Sequence, residues 1–305
     1  MDLYLPIAGL SVNALVIIGL GGLVGFLSGM FGVGGGFLTT PLLMFYGIPP
    51  AVAVASAATQ VTGSSVSGAL TYWGRKGIDF RMGWVLIAGG ILGSLSGSFV
   101  FRVLQKLGQI DIAISMAYVL LLGSVGAMML WEAVRTLHAM RTGSRLPARP
   151  RHNKLVATLP FRWRFYRSGL YMSPLAPLAI GFATGVLTVI LGVGGGFIVV
   201  PALIYLLSMP ASVVVGTSLF QILFVTAATT MVHSIQSRSV DIVLAALLLV
   251  GGVVGAQLGA RMALKLKPEY LRFSLALIVL AVAVRMALGL GYRPDEIYTL
   301  YGPLS

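Results

Sequence analysis

The residues best placed to do chemistry in this sequence are glycines. Gly32-Val33-Gly34-Gly35-Gly36 and Gly192-Val193-Gly194-Gly195-Gly196 each hold four glycines in five positions. Such a run breaks a helix, because glycine carries a large backbone entropy cost. Pro41 and Pro201, five residues after each run, weaken the second half-helix further. Within lipid, the freed N–H and C=O groups must be buried in protein or line a wet cavity. A half-helix that starts after the break presents an N-terminus with partial positive charge, an anion site needing no charged side chain. Gly34, Gly35, Gly36, Gly194, Gly195 and Gly196 are therefore candidate substrate ligands. Tight packing is the competing explanation, but packing glycines are typically spaced by four and these are consecutive.

The stretch after each break supplies uncharged hydrogen-bonding groups: Ser56, Thr59, Gln60, Thr62, Ser64 and Ser65, then Thr217, Ser218, Gln221 and Thr226. Buried hydroxyls and amides need partners. Ser56, Gln60, Thr217 and Gln221 recur at matching places and complete the candidate substrate site. Other chemistries find little here. The glycine run is not a nucleotide phosphate loop, since neither Gly36 nor Gly196 is followed by lysine. With no cysteine and only three histidines (His138, His152, His233), no metal centre, redox centre or other cofactor is expected. An intramembrane serine hydrolase could draw on Ser64, Ser65 and His233, yet no Gly-x-Ser-x-Gly motif accompanies them. No catalytic residue is assigned and no enzyme activity is expected. A non-transporting membrane scaffold is the remaining alternative, because composition and repeats alone permit it.

The elements that must position these residues are membrane helices. The 305 residues are 57% hydrophobic and 10% charged, more apolar surface than a soluble chain of this length can bury. Apolar runs cover 12–46, 50–73, 82–105, 111–134, 174–207, 211–234, 240–263 and 270–290. The first, of 35 residues, is too long for one perpendicular crossing of about 20 residues and too short for two. A discontinuous or re-entrant helix broken at the glycines fits it. No basic residue precedes Arg75, so a cleaved signal peptide is not expected.

Two halves repeat. Gly21, Gly25, Phe37 and Pro41 recur 160 residues on as Gly181, Gly185, Phe197 and Pro201, together with the glycine run. Ser56 and Gln60 match Thr217 and Gln221 at an offset of 161. Asp79, Gly89, Gly90, Gly93 and Gly97 match Asp241, Gly251, Gly252, Gly255 and Gly259 at 162. The chain thus divides into a first transmembrane repeat (1–135), a basic cytoplasmic connector (136–173) and a second transmembrane repeat (174–305). The glycines four apart suit close helix packing.

The net charge of +13 is concentrated in short loops and in and beside the connector, with nine Lys and Arg between Arg135 and Arg167. This is a topology signal and excludes nucleic acid as the natural partner; the lipid bilayer is the expected one. If each glycine segment crosses once, the halves are parallel and basic residues divide 14 inside to 6 outside. If each glycine segment returns to its own side, the halves are inverted and the division is 16 to 4. Inverted repeats with a cytoplasmic connector and outward termini are therefore expected. Asp79 and Asp241 are read as helix N-caps, His233 as an interfacial residue beside Arg238, and Trp73, Trp84 and Trp131 as interfacial belt residues. Arg285, inside the last apolar run, is either functional or snorkelling.

With its doubled Gly-x-Gly-Gly-Gly-Phe-(x)3-Pro at 32–41 and 192–201, Ala55-Ser56, Gly216-Thr217-Ser218, Gly77-Ile78-Asp79 and Val240-Asp241, the sequence resembles the TauE/SafE family of sulfite-exporter-like permeases. The resemblance covers nearly the whole chain outside 136–173. It implies a secondary transporter of a small sulfur-containing anion (sulfite, sulfoacetate or another organosulfonate) in a bacterial inner membrane. It leaves the anion, the direction, the oligomeric state and the coupling ion, proton or sodium, open. Ala55-Ser56-Ala57 departs from the usual Gly-Thr-Ser, so Ser56 stands where a threonine is expected.

Overall fold

The structure is a computed structural model that describes residues 2–31, 33–74, 77–141, 163–263 and 268–291. Gly32, Arg75, Lys76, Lys265, Lys267, Arg293 and the central part of the connector, 142–162, lie outside the described residues.

A hairpin of β1 (Asp2–Leu5) and β2 (Leu10–Asn13) leads into α1 (Ala14–Phe31). After the glycine run come α2 (Gly36–Phe45), α3 (Pro50–Trp73), α4 (Phe80–Lys106) and α5 (Ile110–Arg141). A second hairpin, β3 (Trp163–Phe165) and β4 (Leu170–Met172), precedes α6 (Leu175–Leu191). The rest of the second half comprises α7 (Gly196–Tyr205), α8 (Ala211–Val232), a π turn (His233–Ser237), α9 (Ile242–Ala263) and α10 (Pro268–Gly291). Among the described residues, six helices are long and apolar enough to cross a membrane. The protein is an all-α polytopic membrane protein. Neither hairpin is announced by the apolar runs, and the second falls within the stretch expected to be connector.

The glycine periodicity explains which helices meet. Gly21, Gly25 and Gly29 of α1 lie against the backbone of Leu248, Gly252 and Ala256 of α9, so these two helices run parallel. Gly89, Gly93 and Gly97 of α4 lie likewise against Leu178, Phe182 and Val186 of α6. A Cβ at Gly93 would sit 2.1 Å from the Phe182 carbonyl oxygen, so no other residue allows this approach. The four-residue glycine spacing therefore builds two close helix pairs, as expected.

Between these pairs, α3 and α8 pack antiparallel. Thr59 meets Thr230, Thr62 meets Thr226 and Gly68 meets Leu219. The ends of the broken segments sit close to their starts. The N–H of Asn13, before α1, donates to Tyr46 Oη, just after α2, at 3.3 Å. Ile17 of α1 shares a buried cluster with Leu43 and Ile48. In the second half, Phe165, Leu170 and Met172 of the hairpin pack with Leu203, Leu207 and Met209 after the break.

Asp79 and Asp241 cap α4 and α9, as expected. Asp79 Oδ1 accepts from Met82 N–H at 3.2 Å, and Asp241 Oδ1 accepts from Val243 and Leu244 N–H at 3.1 Å each. Each carboxylate also clamps a hairpin turn: Asp79 Oδ2 accepts from the N–H and hydroxyl of Ser168, and Asp241 Oδ2 from the N–H of Ile7. The buried carboxylates so carry several donors each. Trp73, Trp84 and Trp131 are exposed, in keeping with a place at the lipid boundary.

Candidate functional site

Two broken helices meet at the centre of the molecule. A Cβ on Gly36 would lie 2.2 Å from the Gly192 carbonyl oxygen, and one on Gly196 would lie 2.1 Å from that of Val33. These two positions bring the breaks into backbone contact, so packing accounts for Gly36 and Gly196. Just beyond them, the rings of Phe37 and Phe197 stack, with centroids 4.8 Å apart and planes 13° apart. Gly34 (φ +69°) and Gly194 (φ +73°) adopt a left-handed backbone that disfavours any residue with a side chain.

The N-termini of α2 and α7 leave donors unused. Gly36 N–H folds onto the Gly34 carbonyl at 2.6 Å, and the first helical carbonyl used is Gly35 O, which accepts from Leu38 and Thr39. The N–H groups of Gly35 and Phe37 find no acceptor among the described residues; nor do those of Gly195, Gly196 and Phe197. Orphan donors at a helix start are normal where a side chain or a ligand reaches them, and here neither N-cap has a side-chain bond.

The side chains of Gln60 and Gln221 are fully buried. Gln60 Oε1 accepts from Thr39 Oγ1 at 2.7 Å, which ties α3 to the first turn of α2. Gln60 Nε2 has no partner, and neither atom of the Gln221 amide has one. Gln60 lies against Gly252 of α9, and Gln221 against Gly90 of α4. The repeated glycine pair at 89–90 and 251–252 is thus used on two sides: one glycine lets helices touch, and its neighbour gives the glutamine room. The hydroxyls of Ser56 and Ser65 are also buried without partners. An unpaired buried polar group costs about 1–3 kcal/mol, which makes these five atoms conspicuous.

Not every expected residue gathers here. Thr217 Oγ1 accepts from the N–H of Asp79 at 2.9 Å, which fixes the loop before α4 rather than facing the breaks. Gly35 lies on Val24 and Ser28 of α1, and Gly195 on Thr184 and Thr188 of α6. Ser56 stands one helical turn before Gln60 on α3.

Several residues that matter were not singled out from sequence. Val61 and Ile222, themselves 161 apart, fill the space at Gly34 and Gly194. Both are fully buried. Repeat register is the signal that could have found them. Tyr118 of α5 donates to Leu191 O, the last helical carbonyl before the second break, and lies 3.4 Å from Gly36 O. A lone tyrosine in the middle of an apolar run was its trace. His233 is fully buried, which corrects the interfacial reading. The α-helix passes into the π turn there, which packs the ring onto Phe101 and the Val189 carbonyl. Arg285 lies with its guanidinium 5.2 Å from the Phe45 ring centroid, at the end of α2. No group of His, Asp and Glu among the described residues could hold a metal ion.

Comparison with known proteins gives a consistent result. Residues 17–286 match the family described as sulfite exporter TauE/SafE. A probable membrane transporter protein of Xylella fastidiosa is 28% identical over 276 residues, which is 89% of this chain and 94% of that protein. The probable membrane transporter protein YjnA of Bacillus subtilis is 29% identical over 274 residues, covering 88% of this chain and 98% of its own. YunE of the same organism, also a probable membrane transporter protein, is 24% identical over 291 residues, 91% of this chain and 97% of its own. No solved structure matches the chain.

Proposed function

The chain belongs to the sulfite exporter TauE/SafE family, and from that premise we propose that it is a secondary transporter of a small sulfur-containing anion. Sulfite, sulfoacetate and other organosulfonates are the candidates, carried across a bacterial inner membrane. The anion binds between the N-termini of α2 and α7, where unpaired N–H groups and helix dipoles supply positive potential without a fixed charge. The amides of Gln60 and Gln221 complete the shell as hydrogen-bond donors. Neutral donors suit transport, because a substrate held by a full cation in a dry site leaves slowly.

The observation that carries this reading is the coincidence of two opposed helix starts with unpartnered buried amides. Val61 and Ile222, packed against Gly34 and Gly194, then act as an apolar plug that the substrate displaces.

The architecture we propose is a pair of inverted repeats with re-entrant broken helices. Two observations support it, and a third orients it. Tyr46 returns to Asn13, as a segment re-entering its own side must. α3 and α8 are repeat equivalents yet pack antiparallel, which a two-fold axis in the membrane plane requires and one along the normal forbids. Each half then crosses three times, by α3, α4 and α5 or by α8, α9 and α10; of the six helices long and apolar enough to span, α1 re-enters instead and the more polar α3 crosses. The basic residues Arg81, Arg164 and Arg167 cluster with Tyr166 and Phe80 on the face where α4 starts, the same side as the connector. The positive-inside rule puts that face in the cytoplasm.

A binding screen on purified protein tests the site. Sulfite, thiosulfate and short sulfonates should protect the protein against heat, and short carboxylates of equal charge should do so less. Equal protection by every anion, or by none, contradicts a selective oxyanion site.

A further inference from the structure

The two repeats differ where α8 ends, and the difference places a titratable group beside one break alone. The offset between repeats is 161 at Gln60 and Gln221 but 162 at Asp79 and Asp241, so the second half gains one residue between 221 and 241. The π turn His233–Ser237 falls in that interval. A π turn holds one residue more than the α turn it replaces, and such bulges recur at functional sites. At the offset of 161, Tyr72 is the first-repeat counterpart of His233, so the imidazole belongs to the second break only.

His233 lies 3.0 Å by Nε2 from the carbonyl of Val189, three residues before Gly192. A carbonyl only accepts, so Nε2 carries the proton. Ser237 Oγ lies 3.2 Å from Nδ1 and 2.9 Å from the His233 carbonyl oxygen. This hydroxyl can serve either protonation state. With a neutral ring it donates to Nδ1. When Nδ1 gains a proton, Nδ1–H donates to Ser237 Oγ and the hydroxyl turns to the His233 carbonyl. Neither state leaves a buried group unpaired, which an arrangement for a permanently neutral ring does not need.

The ring faces a narrow recess whose mouth lies at the protein surface. It lines this recess with Ser98, Phe101 and Arg102 of α4, Val189 of α6, and Gln236 and Ser237 of the π turn, closed too tightly here to hold a water. Arg102 and Gln236 are exposed at its mouth, where Arg102 Nε donates to Gln236 Oε1 at 2.9 Å. The charged groups around it are few. α4 brings Arg102 and Lys106, the segment after the π turn brings Arg238, α5 brings exposed Asp111, and α6 and α8 carry no charge.

We propose that His233 is the proton-binding group that couples this transporter to protons, taking one up through the Arg102–Gln236 recess when an anion occupies the second break. The inference rests on the anion site above. An anion at the break stabilises the imidazolium, and by reciprocity the imidazolium strengthens anion binding. Without the anion, the charged side chain that shares the recess with the ring is the cation of Arg102.

The test uses full-length protein in nanodiscs and thiosulfate, which stays fully ionised from about pH 5.5 to about pH 8.5, the range in which a histidine titrates. Wild-type affinity should fall about tenfold across that range, a coupling of ordinary size. His233→Gln, which can keep a donor to Val189 and an acceptor for Ser237, should bind thiosulfate with no such dependence. A variant that retains the wild-type pH dependence overturns the coupling and leaves the anion site standing. Failure of wild type to bind thiosulfate at either pH removes the anion site, and the coupling with it. Independently of the variant's folding, the midpoint at which the wild-type His233 imidazole NMR signal titrates should shift upward with thiosulfate. A midpoint that does not move overturns the inference.

Discussion

At the scale of single residues, the proposed site stands out by buried groups without partners. Both atoms of the Gln221 amide and one of Gln60 are buried and unpaired. Because a buried group without a partner costs about 1–3 kcal/mol, Gln221→Leu should leave thermal stability unchanged or raise it, while anion affinity falls at least about tenfold. Melting curves and binding isotherms on the same preparation check this; equal losses in both mean that the amide only packs. Thr217 predicts the opposite. Its hydroxyl holds the Asp79 N–H, so Thr217→Val should cost about 1 kcal/mol of stability and spare affinity. The two glutamines were legible in the sequence because an intramembrane amide is rare and theirs recurs in register. Thr217 was legible as repeated but not as structural, since repetition marks a position without saying what it touches. The burial of His233 was not legible either: a polar residue at the end of an apolar run looks the same whether the next turn faces water or protein.

At the scale of elements, glycine does two separate jobs. Spaced by four, it brings α1 to α9 and α4 to α6. Gly93→Leu or Gly255→Leu should therefore prevent folded protein from accumulating, because each Cβ would lie 2.1 Å from a facing carbonyl oxygen. Consecutive, it breaks the helix and frees N–H groups. Gly195, at φ +74°, has its nearest neighbour, Thr184 Cβ, 3.0 Å from where a Cβ would stand. Gly195→Ala should therefore cost about 1–2 kcal/mol in backbone strain yet still yield inserted protein, with transport abolished. Normal transport at normal expression contradicts the anion-site reading. In the sequence the spacing marks the glycines of the helix pairs but does not tell Gly36 and Gly196 from their neighbours in the runs. The hairpins before each broken helix were invisible, since strands of three and four residues carry no usable periodicity. Only the structure shows Asp79 and Asp241 pinning them. The use of Gly36 and Gly196 for contact between the breaks was equally hidden, because it depends on the two halves meeting face to face.

For the whole molecule, the claim is that two half-helices enter from opposite faces and hold an anion between them. The charge count favoured inverted repeats by only two residues. The antiparallel packing of equivalent helices α3 and α8 adds an argument that no sequence feature supplied, because it depends on how the halves dock. A reporter fused after Ser305 should be active on the periplasmic side, and one fused in the connector on the cytoplasmic side; a cytoplasmic Ser305 reporter means the repeats are parallel. The central claim itself is tested most directly by uptake of radiolabelled sulfite into proteoliposomes. The account predicts uptake above that of empty vesicles, competed by unlabelled thiosulfate or sulfonate and lost in the Gln60→Leu/Gln221→Leu double variant despite normal insertion. Uptake that persists in the double variant, or wild-type uptake no greater than that of empty vesicles, contradicts it.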